Sequence, residues 1–205
     1  MPVLDRLANA LGRNDERPNV ELAEALAANP DAAAVRDLVA ALTTGPAPVR
    51  ADAIKVLYEL GERRPEALKD HAATFFELLG SRNNRLVWGA MSALAALATT
   101  EAGVLAKRLP EILAAADKGS VITRDKAMAI LSQLAQAGHQ AALPALLDRL
   151  DSAAPNQFPM YAEIALPAVE AAHKARFEAI LKARLANVPQ PAKRVRIEKV
   201  LRKLG

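Results

Sequence analysis

The 205-residue sequence predicts an all-α fold assembled from about five to six helical pairs, and three observations carry that expectation. Composition is the first. Hydrophobic residues make up 52% but aromatics only 3%, so Ala and Leu supply most of the apolar content, a balance that favours helix over strand. The second is spacing: in PVRADAIKVLYELGE, residues 48–62, Ala53, Val56, Leu57 and Leu60 stand at i, i+3, i+4 and i+7, one face of a helix. The third is recurrence, because that face returns at steps of 37, 37, 35 and 35 residues.

Four columns hold through those steps. One reads Leu57, Leu94, Leu131, Leu166, Leu201, and a second reads Leu60, Leu97, Leu134, Val169, Leu204. The others are Ala53, Ala90, Ala127, Ala162, Ile197 and Val56, Ala93, Ile130, Ala165, Val200. The phase survives turns that contain Pro46, Gly80, Gly119 and Pro189, so each copy is a unit rather than part of one long helix. An earlier helix in each of the first four copies is marked by Leu38, Phe75, Ile112 and Leu147, with the register slipping in the fifth.

In chain order, an N-terminal pair at about 3–12 and 18–28 fits loosely, as a terminal repeat with one side facing water should. The pairs that follow are 31–43 with 48–63, 69–80 with 84–99, 108–117 with 121–137, 143–151 with 157–171, and 173–187 with 191–204. LPEIL at 109–113 and LPALL at 143–147 put proline in a first helical turn, where its missing N–H costs nothing. The whole of 1–205 reads as a single repeat domain, with an atypical cap pair at 1–30, repeats over 31–172 and a basic cap pair at 173–205.

LVAALTTGPAPVRADAIKVLYELGE resembles a HEAT repeat, of the broader HEAT and armadillo class, through Val49, Arg50, Ala53, Leu57, Leu60 and Gly61. The resemblance covers the chain from about residue 31, and the Arg50 column continues as Val87, Arg124, Pro159 and Arg194, so two copies depart from the motif. It implies a right-handed α-α superhelix, a HEAT-like solenoid whose second helices line a concave surface that binds proteins. Such folds serve many activities, so function must be argued from the surface.

The chemistry available is narrow. Cysteine is absent, which removes disulfides, thiolate metal sites and cysteine nucleophiles. His71, His139 and His173 lie in different copies with no recurring ligand partner, and the sequence contains no G-x-S-x-G, P-loop or H-E-x-x-H motif. Asp52 and Asp125 read as charges near the starts of second helices, favourable beside the helix dipole. The reading is therefore no enzyme, no cofactor, no metal and no catalytic residue. The start, MPVLDRLANALGRNDERPN, meets Asp5 and Arg6 before any apolar run, and the uncharged stretch from Arg85 to Glu101 is too short to span a bilayer. A cytoplasmic chain with no membrane partner is expected.

Positions equivalent to 52, 55 and 59 are expected to form the concave strip. They read Asp52, Lys55, Glu59; Gly89, Ser92, Ala96; Lys126, Ala129, Gln133; Tyr161, Ile164, Ala168; and Arg196, Lys199, Lys203. Residues 173–205 hold ten Lys and Arg against two Glu, a net of +8, whereas 1–172 carry −4. The candidates for partner contact are Trp88, Lys126, Tyr161 and Ile164, and those for anion contact are Arg194, Arg196, Lys199 and Lys203. The expected function is a non-catalytic scaffold that holds a protein or peptide on its concave surface. The alternative is a nucleic-acid-binding array using the basic end, similar in fold to the alkylpurine DNA glycosylases, whose groove aromatics only Trp88 and Tyr161 could supply.

Overall fold

The computed structural model describes residues 1–204 and contains twelve α-helices among them, with no strand. They are α1 (Arg17–Ala28), α2 (Ala32–Thr44), α3 (Ala47–Arg63), α4 (Ala72–Leu78), α5 (Asn84–Leu97), α6 (Ala102–Lys107) and α7 (Leu109–Lys118), then α8 (Val121–Gln136), α9 (Ala142–Asp151), α10 (Phe158–Ala165), α11 (Ala171–Leu185) and α12 (Pro191–Leu204). Two compact units divide within α8, the first being Met1–Ala127 and the second beginning at Met128.

In the first unit, the second helices of successive repeats lie against each other: α3 packs on α1 and on α5, with its own partner α2 behind it, and α4 backs α5 in the same way. The column residues Ala53, Val56, Leu57, Leu60, Ala90, Ala93, Leu94 and Leu97 are all fully buried, which is what fixes the repeat in the sequence. Side chains at i, i+3, i+4 and i+7 give each second helix a core-facing stripe wide enough to touch both its own first helix and its neighbour. Helix starts are set locally. Asp31 accepts the N–H groups of Ala33 and Ala34 at 3.0 Å, Asn83 accepts that of Arg85 at 3.0 Å, and Pro48 and Pro110 stand in first turns.

Two glycines are required by close approach. A Cβ on Gly89 would lie 2.5 Å from Cγ1 of Ile54, so α3 and α5 come together only because that side chain is missing. A Cβ on Gly61 would meet Cδ1 of Leu68 at 2.7 Å, which explains the closing Leu-Gly of the motif.

In the second unit, α10 packs against α9 and α12, and α11 against α9 and α12, so the second helices α10 and α12 are again neighbours. The expected helix over 157–171 is shorter than the spacing predicts, ending at Ala165 and continuing as a 3-10 turn over Leu166–Ala168. Pro167 supplies no N–H to the carbonyl of Glu163 and stops the α-helix. In that last turn, the Ile164 carbonyl accepts the hydroxyl of Ser132 at 2.7 Å.

Three further differences from the sequence reading have physical causes. The expected helix at 3–12 is only a 3-10 turn, Val3–Arg6. Beyond it, the Ala8 N–H donates to Asn19 Oδ1 at 2.9 Å and the Asn9 N–H to Asp52 Oδ2 at 2.8 Å, and these bonds to the second helices take the place of a helical ladder. The first helix expected at 69–80 is split into a 3-10 segment, Pro65–His71, and α4, while α6 was not expected at all. These short helices bury Leu68 and Leu105, which are 37 residues apart, so they are the same element in successive repeats. Finally, Gly89, Ser92, Tyr161 and Ala168, expected on an exposed strip, are buried, because adjacent second helices meet along that edge.

Gly89→Val should therefore lower the melting temperature, with overpacking of about 1–3 kcal/mol, and adding Ile54→Ala should recover part of the loss. Thermal melts followed by circular dichroism check this; equal melting of the parent and Gly89→Val would contradict the α3–α5 contact.

Candidate functional site

On the second-helix face of the first unit, α3 places Lys55 and Glu59 at i and i+4 with the buried Tyr58 between them, and α5 places Arg85 and Trp88 at i and i+3. The Tyr58 and Trp88 rings meet with centroids 5.5 Å apart at 54°, a tilted aromatic pair across the two helices. A cation covers each ring: Lys55 Nζ lies 4.9 Å from the Tyr58 centroid, and the Arg85 guanidinium 5.5 Å from that of Trp88. Trp88 is half-buried, so part of this aromatic surface remains open.

Carboxylates complete the cluster. Lys55 donates to Glu59 at 2.7 Å, Arg63 reaches the same Glu59 at 2.6 Å, and Glu24 on α1 accepts Arg63 at 3.2 Å. Glu16, immediately before α1, bridges two helices: one oxygen accepts Arg85 in a short contact and the other stands 3.4 Å from Lys55 Nζ. Asp52 does structural work beside it, binding the Asn9 N–H and the Asn19 amide at 2.8 Å each. An open cleft of about 470 Å³ adjoins Glu16 and Arg85, floored by Ala51 and Asp52 and rimmed by Gly12 and Arg13.

These contacts set the ionisation. Burial pushes the Glu59 carboxyl up, but the hydrogen bonds from Lys55 and Arg63 outweigh it and bring it below the usual carboxylate value. Glu16 behaves alike, with burial overcome by Arg85 and then Lys55. The Tyr58 phenol is pushed up, chiefly by burial. All of these groups are thus held in their ordinary charge states near neutrality, none as a poised acid or base. Among the described residues no group of three or more His, Asp or Glu could hold a metal ion. The described residues also include no helix long and apolar enough to cross a membrane.

The candidate residues fall into separate places. Trp88 is at the centre of this cluster, and Lys126, on the first turns of α8, is tied to Glu62 of α3 at 2.9 Å. In the second unit, Tyr161 is buried at 5% exposure, so little of its ring is available to a partner, and Ile164 is half-buried. Arg196 makes a two-pronged pair with Glu163 at 2.8 and 2.5 Å, and that bond holds the Glu163 carboxyl below its usual range. The Arg194 side chain donates to the Val188 carbonyl at 2.6 Å, and Lys199 and Lys203 are exposed, as is Arg202 between them. Sequence reasoning puts Lys55 on the expected strip without naming it a contact candidate, and it misses Tyr58 and Arg85, although Tyr58 is one of only two tyrosines and lies beside a repeat column. Glu16 carried no signal, being 69 residues from Arg85 and outside any repeat position.

Neither a protein-family model nor a curated protein matches the sequence. Solved structures do match it. A designed armadillo repeat protein in complex with the peptide (KR)4 superposes with a TM-score of 0.64 at 14% identity, covering 98% of this chain and 99% of that one. An engineered protein reaches 0.60 at 19% identity, with coverage of 100% and 97%. Kap121p bound to Pho4p reaches 0.61 at 14% identity, covering 97% of this chain and 22% of Kap121p. The fold is that of the armadillo and HEAT repeats. The short helices Pro65–His71 and α6, each preceding the first helix of a pair, add a third element to two of these armadillo/HEAT-like repeats.

Because the folded values of Glu16 and Glu59 are depressed, the stability they contribute is complete above their unfolded value, about pH 4.5, and is lost as pH falls through the folded values. Glu59→Gln should accordingly show a shallower decline in melting temperature than the parent from about pH 5 downward. Identical acid profiles would contradict the Lys55–Glu59–Arg63 network.

Proposed function

We propose that this chain is a non-catalytic armadillo/HEAT-like scaffold that binds a protein or peptide segment on the second-helix face of its first unit, centred on Trp88 and Tyr58. The observation that carries this reading is the aromatic pair itself: two rings in contact across α3 and α5, each with a cation against it, Trp88 left partly open and Tyr58 buried against it as its support. A half-buried tryptophan on a rigid helical platform is the residue type that anchors protein interfaces, since its large ring is ordered before the partner arrives. Flanking charges that are already paired give such an anchor a polar rim. Structural neighbours bound to a peptide and to Pho4p support the reading.

The charged α12 stripe supports the nucleic-acid alternative less well. Arg196 is neutralised by Glu163, Arg194 is bound to a carbonyl, and Arg184 is spent on the carbonyls of Leu150 and Asp151. The exposed Lys199, Arg202 and Lys203, confined to the C-terminal half of α12, and a buried Tyr161 give neither a continuous phosphate track nor a stacking platform.

Trp88 is the sole tryptophan, so its emission reports on this face alone. Peptides selected from a displayed library are expected to shift that emission on titration, and Trp88→Ala, which lacks the reporter and is followed by anisotropy of a labelled peptide, to weaken them at least about tenfold. Selected peptides that leave the emission unmoved and bind Trp88→Ala as tightly as the parent would overturn the proposal.

A further inference from the structure

The second-helix face holds a carboxylate-accepting notch, and its occupant is part of the chain. Lys55 from α3 and Arg85 from α5 converge on Glu16 so that each cation takes one of its two oxygens. Both cations are fixed from behind without Glu16. Lys55 is held by Glu59 and the Tyr58 ring, and Arg85 by the Ala51 carbonyl at 3.3 Å and the Trp88 ring. The cations are the more buried partners, the Lys55 and Arg85 side chains being 12% and 33% exposed against 45% for Glu16. The acid is therefore the outermost layer of the assembly, held at its tip by two ordered cations. Its backbone has a separate task, since the Glu16 carbonyl caps α1 by accepting the N–H groups of Asn19 and Val20 at 3.1 Å each. The side chain can leave the notch while the backbone stays in place.

Resting on the function proposed above, we propose that the segment bound beside Trp88 is acidic, and that a carboxylate from it replaces Glu16 between Lys55 and Arg85. Charge complementarity carries the choice of partner. Among the described residues of this face, these two cations alone point at one shared carboxylate from different helices, and they stand against the rings of the proposed anchor. A basic segment would meet both of them as like charges. Glu16 then sets the threshold for binding, because an incoming acid must compete with a carboxylate held at high effective concentration.

The test uses the full chain with acetylated octaglutamate and octaglutamine peptides, followed by Trp88 emission at low and high salt. Glu16→Ala is expected to bind octaglutamate about tenfold more tightly than the parent, with octaglutamine unaffected and the gain suppressed by salt. Glu21→Ala removes the same charge from α1 outside the notch and should leave the affinity at the parent level. Adding Arg85→Gln to Glu16→Ala should abolish the gain, with Lys55→Gln as the second cation variant if melting shows that Arg85→Gln unfolds the chain. A Glu16→Ala affinity equal to the parent's, or an equal gain in Glu21→Ala, would overturn the inference. If library peptides still bind at Trp88 in that event, the scaffold reading stands; if no peptide binds there in the parent or in Glu16→Ala, that reading falls as well.

Discussion

The structure of the first unit depends on how closely the second helices of neighbouring repeats approach. At Gly89, the absence of one methyl group lets α5 come against Ile54 of α3, and the column of Leu57, Leu94 and their equivalents closes behind that contact. A repeat cannot bury both sides of its own helical pair, so this contact completes the core of each unit with its neighbour's surface. Everything on the exposed edge inherits its spacing from the same approach. Tyr58 and Trp88 are on different helices and touch only because α3 and α5 do.

That constraint also explains the polar chemistry. Side-by-side helices leave a narrow strip open, and long charged side chains cover it while their stems lie along the apolar edge. Lys55, Glu59 and Arg63 follow one another at i, i+4 along α3, and they reach outward to Glu16 and Glu24 at the α1 end. The result is a surface whose charges are positioned before any partner arrives, around a Trp88 ring that rests on Tyr58 and has apolar area to offer. In the second unit the same geometry produces the Arg196–Glu163 pair between α12 and α10, which removes one arginine from a stripe that looks uniformly basic in sequence.

What was legible in the sequence follows from period. Leu57, Leu94 and Leu131 announce the second helices because a buried stripe leaves an apolar residue at every repeat, and Trp88 stands out as the one tryptophan. Short elements were not legible by helical period: α6 has only six residues, and it shows itself only through Leu68 and Leu105, which share the 37-residue step. The N-terminal stretch 3–12, expected as a loosely fitting first helix of a terminal pair, is not one because Asn19 and Asp52 capture its backbone from a distance. Exposure was misjudged at Gly89 and Ser92 because a column identifies equivalent positions but not how near the next helix comes. Glu16 lay beyond reach for the same reason, its partners being 39 and 69 residues away.

Native-state hydrogen exchange tests most directly whether the second-helix stack is the spine of the first unit. The buried stretches of α3 and α5 are expected to exchange last and together, through one common opening, while α6 and the Pro65–His71 turn open earlier by smaller fluctuations. If α3 and α5 exchanged independently, or sooner than those short elements, the claim that their mutual contact organises both the fold and the face it carries would be contradicted.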